Sequence, residues 1–409
     1  MKSLLLTLCL WIGLELHTAE PLQQTSLSAV DVQDTLPMWS PGFLDIHHIN
    51  TGEGNSTWLK LPDGTTVLLD AGTVDKEQFE RTNFPLKATS SLPDQTMSVA
   101  ERITWYIEKM NVGIRSSDTL DYLIVSHFHS DHYGAVPELL AKLPVGTLID
   151  RDYPKYDFPA DLSKILSGDE YFADYMRASK ELRVEQLVVG QHDQIRLKIA
   201  PEQYPSFHML NVKNNASIWN PKTQKVDTLF SAEDMLAYYK GKYNENPLSM
   251  AFKISYGRFD YYNGADNTGL QDGLLPNWFD VESPIAAVVG EVDAMVLDHH
   301  GNRDANNATL LGTLNPRVVV QQVYSSDQPG QEVYYRLKTL GNIGERLIYA
   351  TNMHPETVAT YGPWFQKGYQ SMQGHVVIRV YPHGDSYQVY VLDEEDLHVK
   401  QKSALLSAR

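Results

Sequence analysis

The chain has 409 residues, with 34 Lys and Arg against 51 Asp and Glu, a net charge of −17. Nucleic-acid affinity rests on Lys and Arg that neutralise phosphates. No basic stripe with interleaved aromatics occurs here, so that class of function is disfavoured. The single cysteine, Cys9, falls in the first apolar run, so a chain processed after that run has neither disulfides nor thiolate metal ligands.

Taken in chain order, Met1-Lys2, the run SLLLTLCLWIGL and the small pair Thr18-Ala19 predict a secretory signal peptide over residues 1–19. The apolar run is too short to span a bilayer, and Glu15 and His17 interrupt it. Leu8 before Cys9 does not suit lipid attachment. These features predict a secreted or periplasmic bacterial protein with no membrane segment beyond the signal. A polar, Pro-bounded extension follows over 20–44, and a tail is expected over 396–409. Residues 45–395 are expected to form one folded unit, because candidate ligands spread along the chain converge only if most of it folds together.

The segment HINTGEGNSTWLKLPDGTTVLLDAG, 48–72, reads as two alternating strands about the turn Pro62-Asp63-Gly64, with Asp70 at a strand end. The run Leu120 to Val125 then reads as a buried strand breaking into a loop that presents His127, His129, Asp131 and His132 within six residues. A helix follows over Ala135 to Leu143. Three imidazoles and a carboxylate at the end of a core strand predict a metal cluster, since the i, i+2 pair His127 and His129 can share one ion. The region 152–185 is expected to be a helical insert near the mouth of that site.

Residues 246–266 read as strand, turn at Gly257, strand, then Asp266 in a loop; 294–304 reads as an apolar strand ending in Asp298-His299-His300-Gly301. The stretch 263–277 is expected as a long rim loop, followed by Trp278 and Phe279, whose role is either wall or packing. Residues 374–393 read as a hairpin about His383-Gly384-Asp385, expected to close the second of two sheets. His354 is held as a substrate contact, with His375, Arg303 and Tyr324 as weaker candidates.

The His-x-His-x-Asp-His pattern resembles the metallo-β-lactamase superfamily. The resemblance implies a four-layer αββα sandwich, an α/β fold of two mixed sheets with helices outside. It implies two divalent ions, with Asp70 supporting the metal loop from behind. It further implies that Asp266 bridges the ions, while His129 and His127 hold the first. Asp131, His132 and one of His299 and His300 hold the second. The first site's usual third histidine is missing: His192 and His208 stand in no strand-end context, and Asn246 or a water is the candidate replacement. The Asn246–Ser249 run resembles the branch that includes the extracellular domain of the competence protein ComEC. Imidazole and carboxylate ligands suit zinc, with manganese or iron as alternatives. The implied activity is hydrolysis by a metal-bound hydroxide, with Asp131 orienting the nucleophile or carrying its proton. A phosphodiester or other ester-type bond in a small molecule is expected as substrate. The alternatives are a lactone or β-lactam-type amide, and a non-catalytic protein in which the metals are structural.

Overall fold

Short apolar, β-branched runs punctuated by turn residues make most of this chain into strands, and the pleat decides which residues meet. The computed structural model describes residues 35–81, 83–93, 95–111, 119–270, 273, 275–341 and 346–409. The signal peptide expected over 1–19 and most of the extension lie outside the described residues.

Six strands come first: β1 Leu44–His48, β2 Thr57–Lys60, β3 Thr66–Leu69, β4 Leu120–Ile124, β5 Val145–Asp150 and β6 Val184–Gln186. Then come β7 Phe207–Asn214, β8 Ser217–Asn220, β9 Lys225–Thr228, β10 Ala251–Tyr256, β11 Phe259–Asn263, β12 Ala294–Val296, β13 Val318–Gln321 and β14 Leu347–Ala350. The last four are β15 His375–Val380, β16 Ser386–Leu392, β17 Val399–Lys402 and β18 Leu406–Ser407. One sheet runs β17-β16-β15-β1-β2-β3-β4-β5-β6, with β18 paired to β16, and the other runs β14-β13-β12-β11-β10-β7-β8-β9. Both are mixed: β3 to β6 are parallel, as are β11 to β14, and the remaining neighbours are antiparallel.

Alternation along the strands assembles the layers. Leu44 and Ile46 of β1 join Val67, Ile124, Ile254 and Val318 in a core between the two sheets. The opposite face of the first sheet packs Leu68, Leu123 and Leu148 against Ile103, Tyr106 and Leu139 of the helices Val99–Met110 and Val136–Lys142. The first of these helices starts with a capping box, Ser98 with Glu101, that supplies partners for its free N–H groups. The outer face of the second sheet packs on the helices Glu282–Val289, Ala308–Leu314 and Gln331–Thr339. The four-layer αββα arrangement is thus present, and each strand-to-helix connection that carries a ligand leaves the sandwich at one edge.

Three expectations change. The 374–393 hairpin closes the first sheet, not the second, because β15 pairs antiparallel with β1, Ile46 opposite Ile378. Residues 396–409 are no loose tail: β17 and β18 extend the same sheet, and Leu397 and Ala408 are buried. The insert over 152–185 forms the helices Leu162–Ile165 and Glu170–Ala178, which pack behind the metal loop rather than at its mouth. Phe172 and Tyr175 lie edge-on to Phe128 and Tyr133, an apolar match that hydropathy does not locate.

Candidate metal centre

The loop after β4 is held by backbone before any side chain acts. The Asn55 N–H donates to Asp131 O (2.8 Å), Ala71 N–H to His132 O (2.8 Å) and Thr73 N–H to Ser130 O (2.9 Å). Gly72 makes this approach possible: a Cβ there would lie 1.7 Å from Asp131 O. Two residues back, Asp70 sits in the left-handed region at φ 62° and turns its carboxylate under the loop. Its Oδ1 accepts from Ser126 N–H at 2.8 Å, and its Oδ2 accepts from the Ser126 hydroxyl at 2.7 Å and faces His132 Nδ1 at 2.7 Å. With Nδ1 tied, the other nitrogen of His132 is left to point forward.

Asp266 stands at the centre. It follows β11, with its N–H donating to Ser249 Oγ (3.3 Å). Its Oδ1 lies 3.0 Å from His132 Nε2, and its Oδ2 lies 3.6 Å from His300 Nε2 and 3.8 Å from His127 Nε2. Two clusters therefore share this one carboxylate: His127, His129 and Asp266, and Asp131, His132, His300 and Asp266. The nitrogen of His300 also reaches Asp131 Oδ2 at 3.0 Å, while its Nδ1 is held 3.0 Å from Gln322 O. His127 Nε2 is 3.2 Å from His129 Nδ1.

Charge at the centre follows from burial and these contacts. Burial works against a charged His132, yet Asp266, Asp70 and Asp131 together raise its pKa well above the usual value. The same opposition, burial against Asp266 and Asp131, leaves His300 raised to about 9. Burial disfavours ionised Asp131, but His132 and His300 hold its pKa below the carboxylate range. His127 is pushed well down by burial and by His132.

The donor set fits divalent cations. His132 Nε2 and Asp266 Oδ1 are buried and face each other at 3.0 Å, and neither has a hydrogen-bond partner beyond that contact. Buried polar atoms without partners are costly, and a cation between them would satisfy both. Imidazole and carboxylate donors suit zinc and its neighbours.

Of the predicted site residues, His127, His129, Asp131, His132, Asp266 and His300 converge, with Asp70 behind them. His299 lies at the edge, 19% exposed, its Nδ1 2.6 Å from Asp304 Oδ1. Asn246 is beside it, with Nδ2 3.1 Å from His299 Nε2. The other candidates are elsewhere. His354 caps the helix Pro355–Tyr361, His375 is buried in β15 beside Tyr106, and His192 and His208 pack on each other. Phe279 is buried and Trp278 packs on Phe230, so both serve packing. The 263–277 loop is only partly within the described residues; its start carries Ala265 and Asp266 into the centre.

Sequence reasoning missed three supports. Ser126 and Gln322 are single polar residues at strand ends, where a loop residue of either type is unremarkable. Glu245 accepts from Phe128 N–H (3.0 Å) and from buried Arg151 Nε (2.9 Å), tying the metal loop to the turn that carries Asn246. Tyr324 was underweighted: its hydroxyl donates to Asp131 Oδ2 at 2.6 Å.

The centre opens through a cavity of about 250 Å³, walled by Phe79, Phe84 and Leu86 on one side and by Asn246, His299 and Asn302 on the other. No Lys or Arg lines it among the described residues.

Comparison with known proteins finds partial likenesses. A curated relative, the metallo-beta-lactamase fold-containing protein ST1585 of Sulfurisphaera tokodaii, is 29% identical over 126 residues, 26% of this chain and 48% of that protein. The lactamase-like protein nscB of Arthroderma otae is 28% identical over 102 residues, 25% of this chain and 27% of that protein. The chain thus matches about half or less of the length of these relatives. Among solved structures, Zn(2+)-bound PqqB from Methylobacterium extorquens aligns with TM-score 0.40 and 10% identity, over 82% of this chain and 99% of that one. Residues 49–199, which hold Asp70 and the loop from His127 to His132, match the family model described as the metallo-beta-lactamase superfamily.

Proposed function

We propose that this protein is a metal-dependent hydrolase of a small ester-type substrate, a phosphodiester before a lactone or β-lactam. The observation that carries the reading is the single carboxylate, Asp266, shared by two ligand clusters. His127 and His129 would hold one ion and Asp131, His132 and His300 the other, with Asp266 belonging to both ligand sets. Two ions so placed supply an acidified water and neutralise charge that develops on oxygen. The chain's own residues do the rest. Asp70 and Gln322 O fix the rings of His132 and His300, and Tyr324 occupies one oxygen of Asp131. That leaves the other Asp131 oxygen as the group that orients the attacking water or takes its proton.

The mouth narrows the substrate. A β-lactam carries a carboxylate away from the reacting bond, and such a charge calls for Lys or Arg, which the mouth lacks among the described residues. A phosphodiester brings its charge to the ions themselves. The net charge of −17 supports a small molecule over a nucleic acid. The Asn246–Ser249 turn supports placement near the ComEC-like branch, and the apolar leader over 1–19 supports export, with zinc as the first metal to test.

The test is elemental analysis of the purified protein with turnover of bis-phosphodiester, phosphomonoester, lactone and β-lactam substrates. The expected outcome is two metal equivalents and chelator-sensitive phosphodiester hydrolysis. Asp266→Asn should lower it by roughly a thousand-fold, the several kcal/mol such ions supply, with circular dichroism unchanged. Two bound ions with no turnover on any substrate would reject catalysis in favour of a structural metal pair.

A further inference from the structure

The first cluster has three ligands where the second has four, and neither His192 nor His208 approaches it. We infer that His299 is the remaining ligand of the first ion, reaching it from the far half of the chain. The inference rests on the dinuclear reading above.

Four observations carry it. His299 Nε2 lies 3.9 Å from Asp266 Oδ2, against 3.8 Å for His127 Nε2. It is thus as near the shared oxygen as a residue already placed in the first cluster. Ligand atoms about 2.0–2.1 Å from one tetrahedral ion stand roughly 3.4 Å apart, so His299 needs to close on Asp266 by only a few tenths of an ångström. It swings further to join His127 and His129, whose 4.8 Å grouping with Asp266 it stands outside.

The ring is also prepared as a ligand is. Asp304 Oδ1 lies 2.6 Å from Nδ1, which holds the proton there and leaves the lone pair on Nε2. A carboxylate behind a metal-bound imidazole is the usual orienting partner, and His132 has the same device in Asp70. The amides of Asn246 and Asn302 approach Nε2 at 3.1 and 3.3 Å, so two polar groups already converge on the point that nitrogen faces. Asn246 Oδ1 is buried without a partner. Turning that amide about its last torsion would bring the oxygen to the same point, beside the ion.

The backbone is held in an unusual form at this position. His299 and His300 are consecutive left-handed residues, φ 45° and 54°. Such a backbone is strained where the residue is not glycine, and it persists where surrounding structure enforces it. Here the His299 N–H donates to Ala265 O at 2.8 Å, next to Asp266, and Gln321 Nε2 donates to His300 O at 2.8 Å. The paired turn sets the two rings 6.0 Å apart at 57°. One joins Asp131 and the other faces Asn246, so adjacent histidines serve different ions. A surface histidine satisfied by Asp304 alone would need neither the turn nor the amides.

The experiment is a Zn²⁺ competition titration of the metal-stripped full chain, repeated with Co²⁺ and read by its visible spectrum. Asn and Gly tolerate a left-handed backbone, so the variants are His299→Asn and His299→Gly, with Asp304→Asn as the positioning variant. Wild type should take two equivalents. Both His299 variants should keep one at wild-type affinity and weaken the other by at least about tenfold, with a changed Co²⁺ spectrum. Asp304→Asn should weaken that same equivalent by about 10–100-fold. His300→Ala should weaken the opposite one. Two equivalents at wild-type affinity in both His299 variants would overturn the role of His299 while leaving the dinuclear reading intact. Fewer than two in wild type would overturn both. Circular dichroism of the stripped variants separates loss of a ligand from loss of fold; if neither His299 variant folds, Asp304→Asn decides.

Discussion

Two groups of buried histidines occupy this molecule, and they differ in what faces them. His132 and His300, at the edge of the sandwich, are fully buried with one nitrogen anchored and the other among carboxylates. His47, His48 and His375, in the first sheet, are equally buried. His48 has both nitrogens occupied, by Val376 O at 3.2 Å and the Tyr261 hydroxyl at 2.9 Å, and so links β1 to the neighbouring sheet. Burial lowers His48 to about 3 and, with Arg102 and His47 nearby, lowers His375 well below its usual value. His47 is lowered too, by burial, although Asp45 beside it pulls the other way. The lesson is that burial alone marks packing histidines, whereas burial with converging carboxylates marks a cation site.

The comparison can be broken most severely at Gly72. Gly72→Ala drives a Cβ into Asp131 O, and the metal loop must lift or the strand end must move. We expect a loss of ~4 kcal/mol, the extreme of single substitutions, together with loss of bound metal; urea unfolding and elemental analysis read both. A variant as stable and as metal-loaded as wild type would show that the close approach is dispensable.

Next in size is Asp70→Asn. An amide tolerates φ 62° and can still accept from Ser126, but it withdraws the charge from His132 Nδ1. Metal affinity should fall by about 10–100-fold, as for other orienting partners, with the fold retained. An unchanged competition titration would count against the orienting role.

The smallest effect lies among the packing histidines. His48 is neutral in the fold down to about 3, while the unfolded chain takes a proton near 6.5. Its stabilising contribution is therefore complete above 6.5 and is lost as pH falls from 6.5 towards 3. His48→Gln removes about 1.4 kcal/mol per pH unit from the slope of stability in that window. Metal uptake at neutral pH should not change. An identical slope in the variant would mean that His48 does not stay neutral.

Much of the candidate site was legible because its residues are close in sequence. His127, His129, Asp131 and His132 occupy six positions after one apolar strand, so a local pattern carries them. Asp70 and Asp266 were legible through the family resemblance that the loop carries, since a carboxylate before a glycine or in a loop reads equally as a turn former. His192, His208, His354 and His375 show the limit, since a lone histidine near a strand or loop carries no sign of its partner.

What the sequence determined by itself was the class of layers and the metal loop, because alternation, turn residues and ligand spacing are all short-range. Tertiary structure decided the rest. Which sheet β15 joins, which way each of His299 and His300 turns, and how Glu245 and Arg151 brace the loop all depend on pairing across long chain separations. Two adjacent imidazoles are chemically identical in the sequence. Only the left-handed turn, fixed by Ala265 O on one side and Gln321 on the other, gives them different neighbours.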